Sequence, residues 1–145
     1  MIARKLATLH AQAMTDLSAW DTTAFENLLV SPGVFLVTVP LSNTTEHCGF
    51  ALGRVVADEA ELLTLAVEPK HQGKGFGRAC LLAFEQNAAR KGAVSAFLEV
   101  AATNAPAMGL YLSQGWQKTG LRSAYYKSKN GRIDAILMSK DITRT

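Results

Sequence analysis

Val67-Glu68-Pro69-Lys70-His71-Gln72-Gly73-Lys74-Gly75-Phe76-Gly77-Arg78 is the stretch that decides how this chain reads. An apolar strand pattern, Leu62 to Val67, runs into it. A helical pattern runs out of it, with Ala79, Leu81, Leu82 and Phe84 among its apolar positions. Between them stand three glycines in five residues. Glycine lets the backbone come close to a ligand, and the first N–H groups of a helix have no partner inside it. Those donors lie at the positive end of the helix dipole, so an anion is their natural guest. The turn is built to hold phosphate, and Lys70, His71, Lys74 and Arg78 gather basic side chains around it.

Spacing narrows the choice of phosphate ligand. A P-loop ends in Gly-Lys-Ser or Gly-Lys-Thr, whereas Lys74 is followed by Gly75. A dinucleotide fingerprint needs G-x-G-x-x-G, and Gly73, Gly75 and Gly77 give G-x-G-x-G. Glu99 does fall near the place of that fingerprint's ribose-binding acid, so a nucleotide-binding half-domain stays a rival. The pattern Gln72-x-x-Gly75-x-Gly77 resembles the coenzyme A signature of the Gcn5-related N-acetyltransferase superfamily.

At 145 residues the chain has the length of one domain, residues 1–145, with room for a core. Hydrophobic residues make up 48% and charged residues 19%, which sets it apart from disordered chains. Its apolar runs are too short to span a membrane, and the first residues lack the uninterrupted apolar core of a signal peptide. Cys48 and Cys80 show no metal-ligand spacing and read as buried free thiols, which suits a reducing cytoplasm. A net charge of +3 with no long basic stripe argues against direct nucleic-acid binding. His10, His47 and His71 also lack ligand spacing and read as solvated surface residues; no metal is expected. Trp20 and Trp116 read as core.

Periodicity predicts a helix over Ala3 to Met14. A second follows an Asp21 N-cap through Phe25, Leu28 and Leu29, and stops at Ser31-Pro32-Gly33. Strands follow at Val34 to Val39 and Cys48 to Val56, joined by a Ser42-Asn43-Thr44-Thr45 turn, and a third covers Ala60 to Val67. The helix after the phosphate turn runs from Gly75 to Lys91 with Gly92 as C-cap. A short strand covers Ala96 to Val100, and a helix opens at Asn104-Ala105-Pro106 and ends near Gln114-Gly115. Strands at Trp116 to Leu121 and Asp134 to Ser139 close the chain around a polar connection containing Tyr125, Tyr126 and Gly131. The fold class is mixed α/β (α+β): a mostly antiparallel sheet flanked by helices, with one parallel pair beside the phosphate turn.

The resemblance to the acetyltransferases extends from Leu6 to Ile142. Phe97-Leu98-Glu99-Val100, Asn104, Leu110-Tyr111 and Gly115-Trp116 look like the family's second block. Glu61 to Pro69, Arg122, Tyr125-Tyr126 and Asp134 to Met138 are similar to the bacterial ribosomal-protein-alanine N-acetyltransferases, the RimI type. The chain departs from the pattern at two places. The first strand usual in that fold is absent or very short, and Ala101 stands where many relatives carry Arg.

The resemblance implies a division of labour. The backbone of Leu65, Ala66 and Val67 pairs with the pantetheine arm of acetyl-coenzyme A. The amides of Gly73, Lys74, Gly75, Phe76, Gly77 and Arg78 hold the pyrophosphate, Gln72 shapes the turn, and Asn104 reaches the cofactor arm. Asn104 reads equally as a plain N-cap. Glu99 is the implied base for the incoming amine. It interrupts an apolar strand, where an unpaired carboxylate is costly and burial raises a carboxyl pKa; the bland alternative is a salt-bridged glutamate. Tyr111 is the implied acid toward the leaving thiolate, against a tyrosine packed at the core edge. Tyr125 and Tyr126 fall where relatives clamp a peptide N-terminus.

Implied overall is direct acetyl transfer to the N-terminal amine of a protein, a small-subunit ribosomal protein with N-terminal alanine, by a cytoplasmic monomer or weak dimer. An acetyltransferase for a lysine or small amine, and a non-catalytic acyl-coenzyme A sensor, are the alternatives.

Overall fold

Which residues lie three and four apart decides which face each helix turns inward. The computed structural model describes residues 2–14, 19–40, 47–128 and 131–142; the turn expected at Ser42 to Thr45 lies outside them. Helix α1, Ile2–Ala13, buries Ala3, Leu6, Leu9 and His10. Helix α2, Thr22–Leu29, starts where the Asp21 side chain accepts the Ala24 N–H at 2.8 Å, and it buries Phe25. The strands β1 (Val34–Pro40), β2 (His47–Val56) and β3 (Glu59–Val67) follow in antiparallel succession. A 3-10 turn at Pro69–His71 leads to α3, Phe76–Arg90, which buries Cys80, Leu81, Phe84, Glu85, Ala88 and Ala89. Lys91 is its C-cap, one position earlier than the expected Gly92, which follows in the left-handed region at φ +97°. Then come β4 (Ser95–Ala101), α4 (Ala105–Ser113), β5 (Gln117–Ser128) and β6 (Gly131–Asp141).

Among the described residues the strands form one sheet in the order β1-β2-β3-β4-β6-β5, with β3 and β4 its parallel neighbours. No strand precedes β1 among them, as the helical start of the sequence implied. A second parallel neighbour, which a nucleotide-binding half-domain requires, is not formed: β4 pairs with antiparallel β6 instead. Strand alternation assigns the two cores. Phe50 and Leu52 of β2 pack with Leu6, Leu9 and Phe25 of α1 and α2. Ala51 faces the other way, into a core of Leu81, Phe84, Leu98, Trp116 and Met138. A Cβ on Gly53 would come 2.5 Å from Phe84 and 2.8 Å from Phe35, so the stacked Phe35–Phe84 pair requires glycine there.

Two of the sheet's register shifts shape the site. The β2–β3 register passes from Leu52↔Thr64 to Gly53↔Leu62, which leaves Leu63 as an extra residue. A bulge bends its strand, and the β3–β4 ladder ends at that level, at Leu62↔Leu98. In the β5–β6 hairpin, Arg122↔Ala135 is followed by Tyr126↔Ile133, so Ser123, Ala124 and Tyr125 all face Asp134. Ala124 adopts φ +54°. The Asp134 carboxylate accepts its N–H at 2.7 Å, and Arg132 donates to its carbonyl at 3.4 Å. Tyr125 and Tyr126 therefore lie within a strand, not in the expected loop. The polar run around them hides the strand because its alternation is broken by the bulge.

The expectation of solvated histidines is also corrected. His10 is 3% exposed: Nδ1 accepts the Trp20 N–H at 3.1 Å, which leaves the Nε2 proton to donate to Thr64 Oγ1 at 3.1 Å. Burial lowers its pKa to about 4. Both His71 ring nitrogens are shielded from solvent and lack a hydrogen-bond partner among the described residues, with the ring edge-on to Phe76. The side chain of His47 lies outside the described residues. Trp116 is core, whereas Trp20 is half-buried against His10 and Phe25. Cys48 and Cys80 are buried free thiols, and burial pushes the Cys80 thiol up to about 12.

The buried face of α3 carries an acidic residue that its apolar periodicity does not announce. Glu85 accepts the Trp116 indole N–H at 3.2 Å and pairs with Lys140 of β6 at 2.7 Å. Lys140 also donates to the Gln114 carbonyl at the end of α4, at 2.7 Å.

Candidate active site

Parallel strands end on the same side of a sheet, and ligands of α/β folds gather beyond such ends. Here β3 runs into the glycine turn and α3, and β4 runs into Asn104 and α4. Leu65, Ala66 and Val67 pair with Ala51, Phe50 and Gly49 of β2, but they lie past the end of the β3–β4 ladder. Toward β4, no strand partner covers their edge among the described residues. Such an edge can accept an extended, amide-bearing chain as an added strand.

The turn beyond Val67 is open. Gly73 and Gly75 adopt φ +78° and +88°, and a Cβ on either would meet nothing within 4 Å. Gly75 caps α3 with no side-chain hydrogen bond to the helix end, so Phe76, Gly77 and Arg78 stand at an N-terminus without a side-chain cap. Gly77 packs toward Leu110, which a Cβ would approach to 3.3 Å, so it lets α3 and α4 close on each other. The Gln72 side chain donates to the Val67 carbonyl at 3.0 Å, fastening the turn to β3. Lys74 and Arg78 are exposed, and Lys70 pairs with Glu68 at 3.2 Å. Open space at a helix start, with exposed basic side chains in the same turn, suits a pyrophosphate. Asn104 accepts the Ala107 N–H at 3.2 Å and is the N-cap of α4.

Across the sheet, Glu99 sits on β4 with its side chain 16% exposed. It carries the ion pair that the alternative reading of this residue named: Arg122 Nη2 lies 3.2 Å from its Oε1. The guanidinium also lies over the Tyr125 ring, 5.1 Å from its centroid, and Tyr125 meets Tyr126 edge-on at 5.1 Å. Burial, then the charge of Glu99 and the neighbouring Tyr125, push the Tyr126 phenol up to about 12 against an opposing pull from Arg122. Tyr111 is buried on α4, its ring 6.1 Å from that of Trp116. Burial raises its pKa well above the usual phenol range, with a further contribution from Tyr126. The structure thus brings Glu99, Tyr111, Tyr125 and Tyr126 into one cluster and adds Arg122 to it.

The tuning of Tyr111 runs against the simplest expectation. A phenol raised above pKa ~10 is a weaker acid than a free one, while a thiol has pKa ~8.5. Burial thus makes this phenol hold its proton more tightly and favours it as a hydrogen-bond donor.

A sequence model of the Acetyltransferase (GNAT) family matches residues 5–116. The chain belongs to the GNAT acetyltransferase family. Among similar GNAT proteins, the [ribosomal protein bS18]-alanine N-acetyltransferase of Escherichia coli K12 is 33% identical over 137 residues, covering 94% of this chain and 90% of the relative. The N-alpha-acetyltransferase RimI of Mycobacterium tuberculosis is 37% identical over 141 residues, covering 96% and 86%. The crystal structure of the Escherichia coli ribosomal-protein-S18-alanine N-acetyltransferase superposes with a TM-score of 0.85 at 30% identity, covering 96% of this chain and 86% of that one. The GNAT match ends at Trp116, ahead of the hairpin that carries Arg122, Tyr125 and Tyr126. Alignments covering 94% and 96% of the chain extend into that hairpin.

Arg122 and Asp134 belong to segments that resemble the family, but the contacts they make in this GNAT site had no sequence signal. The Arg122–Glu99 pair joins residues brought together only by β4–β6–β5 neighbourhood. Asp134 reads as an ordinary strand residue until its carboxylate is seen closing the bulge.

Proposed function

We propose that this GNAT enzyme moves the acetyl group of acetyl-coenzyme A to the N-terminal α-amine of a protein, the N-terminal alanine of a small-subunit ribosomal protein. It would do so in the cytoplasm as a single catalytic domain, a monomer or weak dimer. The observation that carries the reading is the placement of an open glycine cradle and a half-buried carboxylate at the same end of two diverging parallel strands. The names of the relatives supply the acceptor class.

In this reading the amides of Gly73 to Arg78 bind the pyrophosphate, and Leu65 to Val67 bind the pantetheine arm along the uncovered edge of β3. Each charge-assisted bond contributes roughly 1.5–3 kcal/mol. The neutral amine attacks the thioester carbonyl, and its proton passes to Glu99 as the C–S bond breaks. Tyr111 steadies the departing thiolate through its phenol hydrogen bond. The burial of Tyr111 supports this role, because an acid that holds its proton tightly stays a donor throughout. Holding the amine neutral favours N-termini: an α-amine has pKa ~7.7–8.0 and lysine ~10.4, so neutralising lysine near pH 7 costs roughly 3–4 kcal/mol more.

The test is mass spectrometry after incubation with acetyl-coenzyme A. The acceptors are an alanine-initiated ribosomal peptide, its N-terminally blocked twin with an internal lysine, and a polyamine. A single acetyl gained on the free-N-terminus peptide alone, and lost in Glu99→Gln, is the expected result. Acetylation of the blocked peptide or the polyamine in its place would sink the N-terminal assignment.

A further inference from the structure

Arg122 stands where an incoming amine has to go. Its guanidinium is 3.2 Å from Glu99 Oε1, yet its side chain is 53% exposed, while Glu99 is mostly covered. An arginine has five N–H donors in a fixed fork, so one contact with a carboxylate leaves several for a further oxygen. The bulge that positions it is over-determined. Three β5 residues face Asp134, whose carboxylate pins the left-handed Ala124 at 2.7 Å, and Tyr125 lies against the guanidinium. Bulges beside sites re-aim side chains, and this one turns a basic fork onto the carboxylate that acetyl transfer needs.

A cation beside the base has a chemical consequence. An amine arriving protonated is repelled by the guanidinium and must share or displace its carboxylate. A simple alkyl amine or a lysine ε-amine brings nothing to compensate Arg122. A peptide N-terminus does, because its first carbonyl oxygen lies one carbon away from the α-carbon that bears the amine. We infer that Arg122 is a specificity-determining residue, which selects α-amines of peptides by shifting from Glu99 to the first peptide carbonyl of the acceptor as the amine takes its place beside Glu99. This rests on the acetyl-transfer reading above and adds to it the group that tells an N-terminus from other amines.

A cycle between Arg122 and that carbonyl tests the inference. The acceptors are an alanine-initiated peptide and the same peptide with its first amide replaced by a trans-alkene, which keeps the shape and removes the carbonyl. Each is assayed for kcat/KM with wild type, Arg122→Met and Arg122→Lys, and thermal melts establish that the variants are folded. Wild type should lose about tenfold or more on the alkene peptide, a difference of about 1.4 kcal/mol. Arg122→Met should lose a similar factor on the normal peptide and little more on the alkene, and Arg122→Lys should fall between. Losses that multiply independently, or a normal-peptide rate unmoved by Arg122→Met, would overturn the selector and leave acetyl transfer standing. Wild type that acetylates neither peptide at its N-terminus would overturn the underlying reading and the selector with it.

Discussion

Removing both partners of the Glu85–Lys140 pair should cost no more than removing either one. The Glu85 side chain is 10% exposed, and its two oxygens are committed to Lys140 at 2.7 Å and to the Trp116 indole at 3.2 Å. Glu85→Leu orphans a fully buried indole N–H, a loss of about 1–3 kcal/mol, and deprives the Lys140 ammonium of its counter-charge. Breaking a buried pair costs about 3–5 kcal/mol. The lower end applies, because Lys140 is 24% exposed and keeps the Gln114 carbonyl. Lys140→Met leaves the carboxylate buried beside the indole alone, again at about 3 kcal/mol. In the double variant the indole N–H and the Gln114 carbonyl lose their partners but no charge is left buried, so the expected total is about 3 kcal/mol where additivity gives about 6. At roughly 3–4 °C per kcal/mol for a domain of this size, each single change should lower Tm by about 10 °C, and the double change by no more. Urea unfolding and thermal circular dichroism of the four proteins at pH 7 measure this. Single changes costing under about 1 kcal/mol, or a double change equal to their sum, would refute the picture of a mutually dependent buried network.

Glu99→Gln should lower kcat by about 10²–10⁴ with the acetyl-coenzyme A KM little changed, measured by steady-state thiol release. Gly75→Ala places a methyl in the open cradle at φ +88°. The acetyl-coenzyme A KM should rise about tenfold and stability should fall by about 1–2 kcal/mol, with the peptide KM unaffected. Asp134→Ala frees the Ala124 N–H and should raise the peptide KM several-fold at constant acetyl-coenzyme A KM. Ala124→Gly, which relieves φ +54°, should leave activity intact and raise Tm. His10 has a folded pKa of about 4 against an ordinary 6.5, so the unfolded chain binds more protons between those values. Its stabilising contribution is complete above pH 6.5 and is lost as pH falls toward 4. Wild type should lose about 2 kcal/mol between pH 7.5 and pH 5 that His10→Gln does not lose, as read from urea midpoints.

Legibility follows the locality of the signal. The glycine turn, the Asp21 cap and the α3 stripe are written in consecutive residues, and the helix and strand they imply are in place. The expected parallel pair and the helices flanking a mostly antiparallel sheet are likewise present. Glu99 is legible as an anomaly in an apolar strand, but its partner is not, because Arg122 reaches it across β6. Tyr125 and Tyr126 read as loop residues because a bulge erases the period of two that identifies a strand. His10 reads as a solvent residue because nothing in its neighbours along the chain announces Thr64 and the Trp20 amide. In each miss the deciding group comes from a distant element.

The early end of the β3–β4 ladder has a mechanical side. Glu59↔Ser95 to Leu62↔Leu98 are the described pairs that stitch β1-β2-β3 to β4-β6-β5, and α3 lies over the first triplet. The ion pair from Glu85 of α3 to Lys140 of β6 crosses the same seam on the helix side. The sheet is thus two three-stranded leaves on a short hinge, one leaf carrying the glycine cradle and the other Glu99 and the tyrosines. A chain laid along the bare edge of β3 would bind like a page marker between them, and hydrogen exchange at Leu63 to Val67 and Glu99 to Ala101 should slow together when it does.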